Sequence, residues 1–166
     1  MSINKGLENK NILISGASVA GPAVAYWLSQ YGFKPTVVEI APSLRSGGYA
    51  VDFRGTTHLT VLERMGILDK LRKLQTGGSP VSFIDQEGKE LASLPAEFQG
   101  GDVEVLRSDL SKVLYDLSKD TTDYIFGDTI TSLTETYEGV HVSFKKSPSR
   151  TFDLVICSRW SSLEYT

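Results

Sequence analysis

The sequence predicts an α/β domain built on a central parallel sheet, followed by a β-rich stretch that closes in a β-meander. Three observations point there. A strand, a helix and a second strand follow one another between residues 11 and 40. The turn joining the first strand to the helix is bounded by glycines, Gly16 and Gly21. Beyond Gly78 the hydrophobic period changes from helical to two. The 166 residues suffice for one domain with a buried core, and 40% hydrophobic with 22% charged residues is ordinary globular composition.

Taken in order, Asn11 to Gly16 (NILISG) is a short buried strand that ends in glycine. In the helix after it, Ala20, Val24, Trp27, Leu28 and Tyr31 recur at helical spacing, which predicts them as its buried stripe. Pro22 falls in the first turn, where its missing N–H costs nothing, and Gly32 stands where a left-handed cap would end the helix. Pro35 to Ile40 (PTVVEI) is a second strand rich in β-branched residues. A right-handed crossover then makes the two strands parallel. Pro42, Gly47 and Gly48 mark a loop; a short apolar segment follows at Tyr49 to Phe53, then a helical stretch from about Thr57 to Leu74, broken near Gly66.

Val81, Phe83, Leu91 and Leu94 predict a hairpin across Glu87-Gly88, and Val103 to Leu106 another strand. Ser108 is placed to cap a helix whose apolar face is Leu110, Val113, Leu114 and Leu117. The remainder is β: Tyr124–Phe126, Ile130–Tyr137, Val140–Phe144 and Phe152–Cys157, with Glu138-Gly139 as the turn between the middle two.

Charge narrows the function classes. Seventeen basic and 20 acidic side chains leave a net charge of −3, which gives no electrostatic reason to expect nucleic acid or an anionic membrane as partner. The single cysteine, Cys157, excludes an internal disulfide and suits a reducing cytoplasm; at the end of an apolar strand it is expected to be a small buried hydrophobe. The polar start and the brief apolar run Ile12 to Ile14 suit neither a signal peptide nor a membrane span, so a cytoplasmic location is expected. His58 and His141 are isolated and expected at the surface, and Trp27 is expected to pack in the helix stripe. No metal-ligand cluster, nucleophile elbow or carboxylate pair is visible in the sequence.

The chemistry concentrates in Gly16-Ala17-Ser18-Val19-Ala20-Gly21. A dinucleotide fingerprint wants glycine at the first, third and sixth positions: for the tight turn, for backbone approach to a pyrophosphate, and for close helix–strand packing. Backbone N–H groups and the helix dipole then meet the phosphates. Ser18 replaces the middle glycine with a small side chain whose hydroxyl can itself bond a phosphate oxygen. Taken alone, the segment is also a plain small-residue turn. Glu39 adds to it. It ends the second strand 23 residues after Gly16, near the roughly 20-residue spacing of the acid that binds a ribose diol and repels a 2′-phosphate.

Longer stretches carry a resemblance. ILISGASVAGPAVAYWLSQYGF, VVEIAPSLRSGGYAVDFRG, LERMGI and VEVLRSDLSKVLYDL resemble the FAD domain of single-component, class A flavin-dependent monooxygenases. This family includes para-hydroxybenzoate hydroxylase and the tetracycline-inactivating enzymes. The resemblance covers nearly all of the chain to about Cys157, read as the N-terminal portion of the family. It implies a Rossmann-like FAD-binding domain over residues 1–157, with Gly16, Ser18 and Gly21 at the pyrophosphate and Glu39 at the adenosine ribose. It further implies Arg45 near flavin and phosphates, Asp52 near the flavin, and Arg107, ahead of the capped helix, against the FAD. NAD(P)H would be the reductant, O2 the oxidant, and an aromatic or polyketide-like small molecule the substrate. No residue of this stretch matches a catalytic role. The competing readings are an NAD-dependent dehydrogenase domain, which would leave Arg45 and Arg107 without a role, and a non-catalytic remnant that binds nothing.

Family members run to about twice this length or more, so a truncated, inactive polypeptide is expected. After the strand matching Phe152–Cys157 they carry an Ala-Asp-Gly-x-His-Ser motif, where this chain reads SRWSSLEYT over residues 158–166. One permitted coding of that tail, shifted by one base, reads Ala-Asp-Gly-Val-His-Ser-Asn-Thr, which suggests a frameshift; a gene with no hydroxylase-like frame past its stop codon would refute it. Sheet faces lacking a partner layer are expected to drive self-association.

Overall fold

The computed structural model describes residues 10–77, 80–95 and 101–157. Along the chain the elements run β1 (Asn11–Ser15), α1 (Ala20–Gln30), β2 (Lys34–Glu39), β3 (Ala50–Phe53), α2 (Gly55–Arg64), α3 (Leu68–Arg72), β4 (Val81–Ile84) and β5 (Glu90–Leu94). They continue with β6 (Val103–Leu106), α4 (Arg107–Ser118), β7 (Asp123–Phe126), β8 (Ile130–Thr136), β9 (Gly139–Phe144), β10 (Arg150–Phe152) and β11 (Leu154–Cys157). The chain divides into two compact units, Met1–Ser46 with Leu114–Thr166, and Gly47–Val113. The tail 158–166 lies outside the described residues.

In the first unit β11, β1, β2 and β7 form a parallel sheet in that order. Successive strand residues face opposite ways, so a strand buried on both sides is apolar throughout. That is the pattern of β1. Its Leu13, with Val38 of β2, packs against Ile130, Leu133, Val142, Phe144 and Phe152 of the antiparallel meander β8–β9–β10. Its Ile12 and Ile14, with Val37, pack against Ala25, Val24 and Leu28 of α1. The result is three layers: helix, parallel sheet, meander. The two central strands of this sheet, β1 and β2, are therefore covered on both faces, whereas Leu154 of β11 stays exposed.

Helix α1 corrects one expectation. It buries Gly21, Pro22 and Ala25, while Ala20 is exposed and Tyr31 is 69% exposed. At Gly21 the reason is distance: a Cβ there would stand 1.8 Å from Gly16 O, so no side chain fits between the helix and the end of β1. Its end is as expected. Gly32 has φ +83°; its N–H donates to Ser29 O and that of Phe33 to Leu28 O, the paired bonds of a Schellman cap.

Three further corrections lie in the β-rich part. The strand expected at Phe152–Cys157 is two, β10 in the meander and β11 in the parallel sheet. Asp153 makes the corner: its N–H donates to Asn11 O (2.9 Å) and its Oδ2 accepts Asn11 N–H (2.8 Å). The loop between β8 and β9 is Tyr137-Glu138, with Gly139 opening β9 at φ +129°; a Cβ there would meet Phe152 O at 2.3 Å. Cys157 is exposed rather than buried, at the end of a strand on the sheet's margin.

In the second unit β3 pairs antiparallel with β6 and β4 with β5. Helices α2 and α3 separate at Gly66 (φ +69°), and Leu62, Met65, Ile67, Leu68 and Leu71 are buried, as are Val103 and Val105 of β6. Helix α4 begins at Arg107, not after a Ser108 cap: the Arg107 N–H donates to Tyr49 O, so strand β6 runs straight into the helix. Every residue of β4 and β5 is exposed.

Candidate functional site

The site starts where β1 ends. Gly16 has φ +105°, a backbone that L side chains resist, and its N–H donates to Val38 O at 2.8 Å. The chain then turns into α1 through Ala17, Ser18 and Val19. Gly21 must be glycine because of the 1.8 Å approach to Gly16 O. The first and last glycines of the turn thus each have a steric reason. No side chain caps α1 and its first turn holds no acid, so no carboxylate of its own offsets the positive end of the helix. Ser18 is half-buried in this turn.

Glu39, at the tip of β2, points at the turn. Its Oε2 accepts the Ala17 N–H at 2.9 Å, and its Oε1 accepts the Ala41 N–H at 2.9 Å. Its side chain is only 11% exposed. Arg45 Nη2 lies 3.6 Å from Glu39 Oε1, on a side chain that is 69% exposed. Such a pair contributes about 0–1 kcal/mol, so Arg45 can leave it for another anion at little cost.

The structure therefore brings Gly16, Ser18, Gly21, Glu39 and Arg45 into one corner of the first unit. Asp52 and Arg107 belong to the second unit. Asp52, exposed on β3, accepts Gly101 N–H at 3.1 Å through Oδ1, and its Oδ2 lies 3.5 Å from Arg54 Nη2. Arg107, the first residue of α4, is exposed and runs beside Gly48, where a Cβ would sit 3.4 Å from its own. His58 and His141 are exposed, and His58 Nδ1 accepts the Arg54 N–H at 3.1 Å. Among the described residues no group of His, Cys, Asp and Glu is arranged to hold a metal ion, and no helix is long and apolar enough to cross a membrane.

Sequence reasoning missed the partners of Glu39. Ala17 and Ala41 act through backbone N–H groups, which leave no mark in residue identity. It also missed Ser118, whose buried hydroxyl donates to Leu114 O and meets Tyr124 Oη at 2.7 Å. Burial, and the nearby Tyr115, push the Tyr124 phenol up to about 12 against the lowering effect of the Ser118 hydrogen bond. This keeps the phenol neutral under α4 and gives it a packing role.

Parallel sheet, covering helix and glycine-bounded turn define an α/β fold similar to that of FAD-binding monooxygenases. No family model matches the chain. The chain is 42% identical over 153 residues to Rv1260 of Mycobacterium tuberculosis, covering 89% of this chain and 41% of that protein. It is 38% identical over 156 residues to a flavin-dependent monooxygenase of Legionella longbeachae, covering 91% and 39%. Among solved structures, the tetracycline destructase Tet(55) superposes with a TM-score of 0.79 at 38% identity, covering 92% of this chain and 38% of that one. CtdE in complex with FAD shares the fold alone, at 17% identity and a TM-score of 0.72 over 90% of this chain and 38% of that one. Over most of its length the chain is similar to flavin-dependent monooxygenases, and it spans about two-fifths of the length of the relatives it matches.

Proposed function

We propose that this chain binds the ADP portion of FAD in a Rossmann-type site, as part of a flavin-dependent monooxygenase acting on an aromatic or polyketide-like small molecule. One observation carries the reading: Glu39 is turned back onto the Gly16–Gly21 turn, with Oε2 on the Ala17 N–H. The diphosphate would lie against the turn and the start of α1, where backbone can approach closely. The adenosine ribose diol would donate to Glu39. Each carboxylate oxygen offers about two acceptor sites, so the two amide bonds leave capacity for it. Arg45 would exchange Glu39 for a phosphate oxygen. The resemblance adds Arg107 as a forked donor and Asp52 as an acceptor toward the same cofactor.

Bound FAD would supply oxygen activation after reduction by NAD(P)H. This chain's residues bind and orient; none of those described is assigned a proton transfer. The stretch in hand is proposed to bind the cofactor without hydroxylating by itself, and to work in the cytoplasm. The test is a titration of purified protein with FAD, followed by quenching of flavin fluorescence, with NAD as comparison. Saturable quenching by FAD is the expected result. Nicotinamide binding without flavin uptake, or no binding of either, would refute the proposal.

A further inference from the structure

Behind Glu39 lies a second carboxylate, Asp128, in the loop between β7 and β8, and it is 3% exposed. Its Oδ1 accepts the N–H groups of Thr129 (2.8 Å) and Lys146 (3.0 Å), and its Oδ2 accepts the N–H of Ser147 (2.7 Å). Thr129 precedes β8, whereas Lys146 and Ser147 follow β9, so one anion ties together the loops at the open end of that hairpin. The Lys146 ammonium closes the same corner by donating to Gly127 O at 2.5 Å.

The loop so fixed reaches the tip of β2. The Asp128 N–H donates to Glu39 O at 3.1 Å, and the Gly127 N–H donates to Ala41 O at 2.8 Å. The peptide stretch 39–41 is thereby held by its carbonyls from the loop while its own Ala41 N–H holds Glu39 Oε1. We propose that Asp128 is a positioning residue for Glu39: its buried carboxylate locks loop 127–129, the loop locks the tip of β2, and the tip aims the Glu39 carboxylate at the Gly16–Gly21 turn. Burial alone would push the Asp128 carboxyl up; hydrogen bonds from the Ser147 side chain and from the N–H groups of Ser147, Thr129 and Lys146 overcome this and hold it down at about 2. The lock is therefore charged throughout the neutral range.

The ligand arm of this inference rests on the proposed FAD reading; its structural arm does not. Asp128→Asn keeps the shape but sets an NH2 against amide donors, which undoes part of the lock. In isotope-labelled protein without cofactor, D128N is expected to move the Ala17 and Ala41 amide resonances in the direction that Glu39→Gln moves them. Their hydrogen exchange should quicken about tenfold, as for one lost charge-assisted bond. Where FAD binds, its Kd should rise about tenfold in D128N, and the double variant should lose little more than E39Q alone. Unmoved Ala17 and Ala41 amides in a folded D128N protein would overturn the proposal and leave Asp128 a loop staple. Absence of FAD binding in the unaltered protein would refute the FAD reading, while the amide readout still judges Asp128. If D128N does not fold, Asp128→Glu keeps the charge but lengthens the side chain and displaces the loop; it should move the Ala17 and Ala41 amides, and unmoved amides would overturn the proposal.

Discussion

Glu39 uses a single carboxylate to hold two backbone donors from two places in the chain, Ala17 and Ala41. Glutamine cannot replace it: one end of an amide is a donor and would face one of those N–H groups. We expect Glu39→Gln to weaken FAD binding by about 10- to 100-fold, the equivalent of roughly 1.5–3 kcal/mol for a hydrogen bond to a charged group. Fluorescence titration measures this, and equal affinity in the two proteins would count against the ribose role. Gly21 is limited by space. Gly21→Ala sets a methyl group into the 1.8 Å gap to Gly16 O, and the helix start must shift. Thermal unfolding should show a loss of about 1–3 kcal/mol, the usual cost of overpacking. The tight approach at Gly21 and the placement of Glu39 beside the turn were legible in the sequence, since glycine at the ends of the turn and an acid at the tip of the next strand each leave a residue-level mark. The amides of Ala17 and Ala41 were not, because every residue but proline carries the same donor.

Among the elements, the hairpin β8–β9 owes the closure of its open end to Asp128, and this gives stability a pH dependence of known sign. A carboxyl at about 2 in the fold and near its ordinary 3.8 when unfolded contributes fully above the unfolded value. The contribution falls away as pH drops from about 4 to about 2. It amounts to roughly 2 kcal/mol. Urea unfolding between pH 5 and 2 (conditions chosen to bracket that window) should show this loss, and D128N should flatten it. Element identities were largely readable: β6 and the Gly32 cap fell where the pattern placed them. Two of the assignments that departed from the structure show why. Of the α1 stripe, Val24 and Leu28 pack on the sheet as expected, but Ala20 and Tyr31 are exposed, and the buried positions are Gly21, Pro22 and Ala25. The apolar run from Phe152 to Cys157 conceals a change of sheet, because Asp153 alone makes the corner and no glycine or proline marks it.

For the molecule as a whole, the first unit covers the two central strands of its parallel sheet on both faces, whereas the second carries an apolar hairpin open to solvent. Phe83 is 52% exposed, Ile84 64% and Leu91 67%, on strands with no buried residue. Apolar surface of this kind promotes association. We expect the protein to self-associate with rising concentration, and Phe83→Ser combined with Leu91→Ser to reduce this in light scattering without lowering the melting temperature. A lower melting temperature would mean that the hairpin is packed after all.

The pairing of β1 sets the timing of folding. One of its two neighbours, β2, follows within 30 residues, but the other is β11, joined through Asn11 and Asp153 at a separation of 142 residues. A nascent chain that stops short of Leu154 leaves one flank of Asn11–Ser15 open, with donors and acceptors available to any passing strand. The ribosome must therefore deliver nearly all of this stretch before its oldest strand is enclosed, and shorter products should collect on chaperones or in aggregates.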